Sequence, residues 1–224
     1  MKKNVIFPAA CRLFKDMDQD GFARICTCLN VREVHLRPKE MFIRETDPCK
    51  WIGVVVTGAV QLTRQRIDGG RSVLETVQSN DTFGTTYAFR DVATMGVSMS
   101  AVGETTVLLL EIDGFSRFCS TACAAHMQLL RNLLAVLSQK TFQIKQKLRI
   151  LSQRTIRARL LLFLNIRAKR AKSCEFDIPF NRQALADFLC VERSALSAEI
   201  SSLRREGVLD SVKNHFTLHK ASAG

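Results

Sequence analysis

At Asp113 the apolar pattern of this 224-residue chain changes period, and no other feature restricts the fold as strongly. From Val31 to Ile112 the apolar and β-branched residues come in short runs: "VREVHL", "EMFI", "WIGVVVTG", "AVQLTRQR", "RSVLETVQ", "GVSMSA" and "TTVLLLEI". Such residues suit a pleated, partly buried surface. Between the runs stand Pro38-Lys39, Gly58, the "DGG" at 68–70 and Asn80-Asp81, which favour turns through backbone freedom or side-chain hydrogen bonding. Short strands at this spacing, with no long helix among them, predict an antiparallel jelly-roll-like barrel.

Beyond Asp113 the period is helical. Leu130, Leu134, Leu137, Thr141, Ile144, Leu148 and Leu151 alternate steps of four and three, the spacing of a two-helix seam. Lys140, Lys145 and Lys147 keep the flanks wet. So narrow a stripe predicts a parallel dimerisation helix, with a helix packed on its own domain as the alternative. A basic amphipathic segment, "TIRARLLLFLNIRAKRAK", follows, and Ser173 to Asp177 reads as a break. Asn181 then caps "RQALADFL", because its side chain can accept from the open N–H groups of a first turn. Cys190 to Glu192 supplies a turn and Arg193 to Arg205 a second helix, the helix-turn-helix arrangement whose second helix enters the major groove of DNA. Gly207 ends that helix and Lys213-Asn214 turns a small hairpin, which makes the module a winged helix. The expected architecture is α+β: a barrel over 1–123, a dimerisation helix over 124–151 and a winged helix-turn-helix DNA-binding domain over 152–224.

Charge follows the same division. Residues 1–123 hold 15 Lys/Arg against 14 Asp/Glu, whereas residues 124–224 hold 18 against 7. A polyanion-binding module joined to a neutral domain has this distribution; a solvated basic face or an anionic membrane surface are the other readings. The longest apolar run, "VLLL", is far too short to span a bilayer. Pro8, Arg12 and Lys15 interrupt the N-terminal apolar stretch, so no signal peptide is expected, the chain reads as complete from Met1, and the cytoplasm is the expected compartment. Eight scattered cysteines there read as thiols rather than a disulfide framework.

In "CRLF", "VVVTGAVQLTRQRIDGGRSVLETVQSNDTFG", "LLRNLLAVLSQKTFQIKQKLRILSQRTIRARLLLFL" and "IPFNRQALADFLCVERSALSAEISSLRREGVL" the chain resembles transcription regulators of the Crp/Fnr family along essentially its whole length. The resemblance implies a homodimeric, sequence-specific DNA-binding regulator with a cyclic-nucleotide-binding-like sensor barrel. Double-stranded DNA with a palindromic operator is the implied partner, its half-sites about one helical turn apart, and contact with RNA polymerase is implied too. Arg182 and Gln183 match the family's phosphate-contacting pair, which sets register and makes affinity salt-dependent. Arg193, Ser194 and Ser197 match its base-facing positions, where Arg193 can donate two bonds to a guanine edge. Lys213 on the hairpin completes the DNA-facing set. Ala198 stands where the family usually has arginine, which leaves the operator open. Arg204 and Arg205 suit helix C-terminal charge compensation as well as phosphate contact.

Family members that bind cyclic AMP carry Glu directly after Phe-Gly and an Arg-Ser pair ten residues later. In "FGTTYAFRDVATMGVSMSA" those positions are Thr85, Met95 and Gly96, and the one cation is Arg90. A phosphate would lack its charge-assisted partner. Cyclic AMP is therefore not the expected effector; a less polar small molecule against Gly84, Thr85, Tyr87, Met95 and Met99, with Phe89, is. Three other signals are open. Cys26-x-Cys28, Cys119 with Cys123, or Cys190 in the DNA-binding turn could sense redox state, although small cysteines also pack as hydrophobes. An iron–sulfur cluster would draw on Cys11, Cys26 and Cys28, whose spacing does not match. Haem would use His35, His126, Met95, Met99 or a cysteine as axial ligands. A cupin-like metalloenzyme is the remaining alternative, but it needs clustered histidines and a carboxylate, and the barrel segment holds His35 alone. His126, His215 and His219 lie downstream, and no nucleophile stands beside a base, so neither a metal site nor enzymatic activity is expected.

Overall fold

The computed structural model describes residues 5–48, 50–66, 69–87, 94–116 and 124–219. Phe89, Arg90, Cys119 and Cys123 lie outside the described residues. Two compact units divide the chain, Met1–Gln139 and Lys140–Gly224.

The first unit opens with a helical turn, Arg12–Phe14, and helix α1, Gln19–Cys28. The Asp18 carboxylate accepts the Gly21 N–H at 2.7 Å and so caps α1. This helix has no counterpart among the sequence expectations. Eight strands follow: β1 Arg32–Leu36, β2 Met41–Ile43, β3 Trp51–Thr57, β4 Ala59–Gln65, β5 Arg71–Gln78, β6 Thr82–Phe83, β7 Ser98–Ala101 and β8 Thr105–Glu111. They form two four-stranded antiparallel sheets, ordered β1-β8-β3-β6 and β2-β7-β4-β5, which is the expected jelly roll. Leu36, Ile43, Val55, Val60, Val77, Met99 and Val107, drawn from both sheets, pack into one core between them. On its other face the first sheet presents Ile52, Val54, Leu108 and Leu110 to Phe14, Phe22, Ile25 and Leu29. Burial on both faces explains why β3 and β8 read as near-continuous apolar runs rather than alternating ones. Gly53 is required where β3 meets β6, because a Cβ there would fall 1.8 Å from the Phe83 ring.

After a single turn, α2 Asp113–Ser116, the 28-residue helix α3 runs from Ala124 to Leu151. The division between the two units falls inside α3. In the first unit Leu129 and Leu133 are buried against the barrel, and the Asn132 amide donates to the carbonyls of Leu13 at 3.0 Å and Lys15 at 2.8 Å. Leu130 and Leu137 lie half-buried at the edge of that contact. Met127, Leu134, Phe142, Ile144 and Leu148 are large apolar side chains left exposed along the same helix.

The second unit continues with α4 Ile156–Ala171, β9 Glu175–Asp177, α5 Arg182–Leu189, α6 Arg193–Arg205, β10 Leu209–Val212 and β11 His215–Leu218. The stretch expected as a break at 173–177 holds a strand. There β9 pairs antiparallel with β11, setting Phe176 opposite Phe216, and completes a three-stranded sheet ordered β10-β11-β9. Leu160, Phe163, Leu164, Leu185, Leu189, Leu196, Ile200, Leu203 and Phe216 make the core of the unit, and Ile150 of α3 joins it. Among the described residues no helix is long and apolar enough to cross a membrane.

Candidate nucleic-acid interface

Helix α5 begins where the sequence places it, with the Asn181 side chain accepting the Ala184 N–H at 2.8 Å. Cys190 adopts a left-handed conformation (φ 54°) that ends α5, and the Val191 N–H returns to the Ala186 carbonyl at 3.0 Å. Leu196, Ile200 and Leu203 anchor one face of α6 in the core, so the opposite face is presented outward. Ser194, Ala198, Ser201 and Arg205 are exposed on that face, Arg193 is exposed in the first turn on the line of Ile200, Arg204 is exposed in the last turn, and Ser197 sits half-buried at the edge. Ser201 is a residue that sequence reasoning missed, although its spacing of seven from Ser194 puts it on the same line of the helix. Its hydroxyl donates to the Ser197 carbonyl at 3.0 Å.

Several cations of this unit hold its own structure. Arg157 pairs with both carboxylate oxygens of Glu206, beyond the end of α6, and approaches Glu199 at 3.7 Å. Hydrogen bonding from Arg157, then from Ser202, holds the Glu206 carboxyl below its usual range. Arg159 is a second residue that the sequence did not single out. Its Nε donates to the Gln153 carbonyl at 2.9 Å, and one terminal nitrogen reaches the carbonyls of Leu189 at 3.2 Å and Cys190 at 3.4 Å. It thus satisfies carbonyls at the end of α5 with positive charge, where a helix favours it. Arg204 faces Asp210 at 3.9 Å.

The two residues matched to phosphate contact differ. Gln183 is exposed, with its amide 2.9 Å from Asp187. Arg182 is half-buried, its guanidinium lying 5.6 Å from the centre of the Phe216 ring and donating to the Lys213 carbonyl at 3.5 Å. Burial lowers its pKa from the ordinary arginine value. Lys213 is exposed at the turn between β10 and β11, with φ 54°.

In the barrel, Gly84 has φ 77°, and a Cβ there would sit 2.9 Å from the Trp51 carbonyl. Thr85 beside it is buried with its hydroxyl unpartnered, and Tyr87 is half-buried. Met95 and Met99 are buried in the core between the sheets, beside Phe83 and Val97, so they act there as packing side chains. Cys26 and Cys28 lie two residues apart on α1, about 200° around the axis, and do not face each other. Burial pushes the Cys26 thiol up to about 11, away from the reactive thiolate. Cys28 and Cys190 are exposed. Among the described residues no group of three or more His, Cys, Asp or Glu is placed to hold a metal ion. His126 is buried with both ring nitrogens unpartnered, and His35 is exposed beside Thr106 and Glu33.

Residues 33–122 match the cyclic nucleotide-binding domain, and residues 158–223 match the Crp-like helix-turn-helix domain. A barrel of the first kind ahead of a module of the second defines a DNA-binding transcription regulator. The chain belongs to the Crp/Fnr family of such regulators, which are not enzymes, and the metalloenzyme alternative is set aside. Its fold is shared with the catabolite activator protein of Thermus thermophilus, at 19% identity over 94% of this chain and 95% of that one, with a TM-score of 0.53. It is shared also with the c-di-GMP-responsive global regulator CLP of Xanthomonas campestris, at 16% identity over 91% of this chain and all of that one, with a TM-score of 0.58. No curated protein matches the chain in sequence.

Proposed function

We propose that this regulator acts as a cytoplasmic homodimer on a palindromic operator, with residues 1–123 as sensor, 124–151 as the pairing helix and 152–224 as the DNA-binding domain. One observation carries the reading: α3 leaves Leu134, Ile144 and Leu148 exposed at heptad-related positions while α6 presents Arg193 and Ser194 outward. Apolar surface of that regularity is stabilised when a second copy covers it. Two copies related by a two-fold axis present two α6 helices to successive major grooves. Arg193, Ser194 and Ser197 read base edges, while Gln183 and Lys213 meet the backbone. RNA polymerase is the downstream partner. The effector is a small molecule less polar than a cyclic nucleotide, since Thr85 and Met95 offer a phosphate no charge. Selection of duplexes from a random pool by the full-length chain tests the proposal. Recovered sequences should be palindromic, with half-sites about 10 base pairs apart between centres. Recovery of no common sequence, or of a single unrepeated site, would overturn it.

A further inference from the structure

Arg182 matches a phosphate-contacting position, yet its guanidinium is turned toward the wing. The planar group lies over the face of Phe216, a fully buried residue of β11, and donates to the main-chain carbonyl of Lys213. That carbonyl belongs to a turn that needs holding. Lys213 has φ 54°, a left-handed conformation that a lysine adopts at some strain. Two further bonds hold the neighbouring residue: the Ile178 N–H donates to the Asn214 carbonyl at 2.9 Å, and the Asn214 amide donates to the Ile178 carbonyl at 3.3 Å. Ile178 lies three residues before the Asn181 cap, so the wing turn is fastened to the entry of α5 by Arg182 on one side and Asn214 on the other. To reach a phosphate Arg182 would have to leave both the ring and the carbonyl. Lys213 would not have to move: it is exposed at the tip of the turn, and among the described residues no carboxylate pairs with its ammonium.

We infer that Arg182 is a positioning residue of the DNA interface, holding the wing turn so that Lys213, and not Arg182 itself, meets the DNA backbone. Arginine suits this task for reasons that lysine does not share. Its planar fork can stack on an aromatic face while donating in its own plane, whereas an ammonium is a point charge. The inference rests on the DNA-binding reading above and adds to it a division of labour between two cations.

A thermodynamic cycle measured against salt separates this role from direct phosphate contact. Each phosphate neutralised adds about 0.9 to the slope of log affinity against log salt. Loss of one contact from each protomer of a dimer therefore makes the slope shallower by about 1.8. The probe is a duplex selected by the wild-type chain from a random pool, titrated with full-length Arg182→Met, Lys213→Ala and the double variant. Methionine keeps an apolar stem over Phe216, and thermal melting checks that each variant is folded. If Arg182 acts through Lys213, either single variant loses about 1.8 of slope and the double variant loses no more. If Arg182 holds a phosphate of its own, the losses add to about 3.6 in the double variant, and the inference is wrong. Arg182→Lys gives a second reading: a positioning role predicts that it behaves like Arg182→Met, and a wild-type slope would overturn the inference, because a lysine still serves a phosphate. Failure of the wild-type chain to select any duplex would overturn the DNA-binding reading and this inference with it. Additive losses would overturn the inference alone.

Discussion

Leu134→Ala isolates the pairing face of α3 from its structural face. The residue is 65% exposed in the single chain, while Leu129, Leu133 and Asn132 on the opposite side hold the helix to the barrel. Fully burying a leucine is worth about 1.5–3 kcal/mol, so covering the exposed two-thirds adds about 1–2 kcal/mol per protomer. Two-fold symmetry buries the position twice, and most of that is forfeited when the side chain is cut back to alanine, giving about 2–4 kcal/mol per dimer. At a factor of ten for each 1.4 kcal/mol, the dimer should dissociate about 30- to 700-fold more readily. Sedimentation equilibrium over a concentration series measures the shift, and thermal melting at concentrations where the wild type is monomeric should show an unchanged fold. An unaltered dimer constant would refute the seam as the pairing surface. A large loss of monomer stability would show instead that Leu134 acts mainly within the protomer.

Other consequences can be checked separately. Arg193→Ala should weaken binding to the selected duplex by about 1–3 kcal/mol and relax the preference at one base pair, with dimerisation unchanged; equal affinity in gel-shift titration would remove Arg193 from base reading. Asn181→Ala deletes the bond to the Ala184 N–H and should lower stability to denaturant by about 1 kcal/mol. A thiol-directed alkylating agent near neutral pH should label Cys28 and Cys190 well before Cys26, because burial keeps the Cys26 thiol protonated up to about 11. The sign is that of a raised acid: the neutral Cys26 thiol is fully compatible with folding below the ordinary thiol value, and its contribution is lost as pH rises through about 11. Early modification of Cys26, followed by mass spectrometry, would contradict that placement. If Cys190 carries a redox signal, oxidant should weaken DNA binding by the wild type and leave Cys190→Ser unaffected; the same response in both would end that role.

The barrel was legible because its strands are runs of β-branched residues bounded by turn formers, a pattern set by local chemistry. The elements that escaped are those whose identity depends on distant partners. Strand β6 is two residues long and exists because Phe83 settles over Gly53 of β3. Strand β9 is three residues whose only alternation is Phe176, and it becomes a strand by pairing with β11. Besides Gly21, helix α1 buries Phe22 and Ile25 in a polar stretch, and their face has meaning only once the barrel supplies Ile52 and Leu110. The interface divides the same way. Leu196, Ile200 and Leu203 fix the rotation of α6 from sequence spacing alone, so the exposure of Ser194 could be foreseen, whereas Arg193, seven residues before Ile200, is exposed because it stands in the first turn. The task of Arg182 could not, because Phe216 is far along the chain. Nor could sequence decide whether Met95 and Met99 line a pocket or fill a core, since both uses want the same flexible apolar side chain.

The end of α3 is joined to the helix-turn-helix more firmly than a linker would be. Ile150 is buried in the core of that domain, Arg170 donates to the Gln146 amide oxygen at 2.7 Å, and the Lys147 ammonium lies 5.2 Å from the Phe188 ring centre. Just beyond the helix, Gln153 is held by the same guanidinium that grips Leu189 and Cys190 at the turn before α6. These attachments reach α3, α4, α5 and the segment between the first two, so the last turns of α3 cannot shift as a free rod. In the proposed dimer Ile144 and Leu148 sit on the seam within those same turns. A change in how the two α3 helices pair would therefore be delivered through close-packed contacts to α6, because packed interiors transmit displacement rather than absorb it. In that proposed dimer the spacing of the two recognition helices would be set largely at the seam.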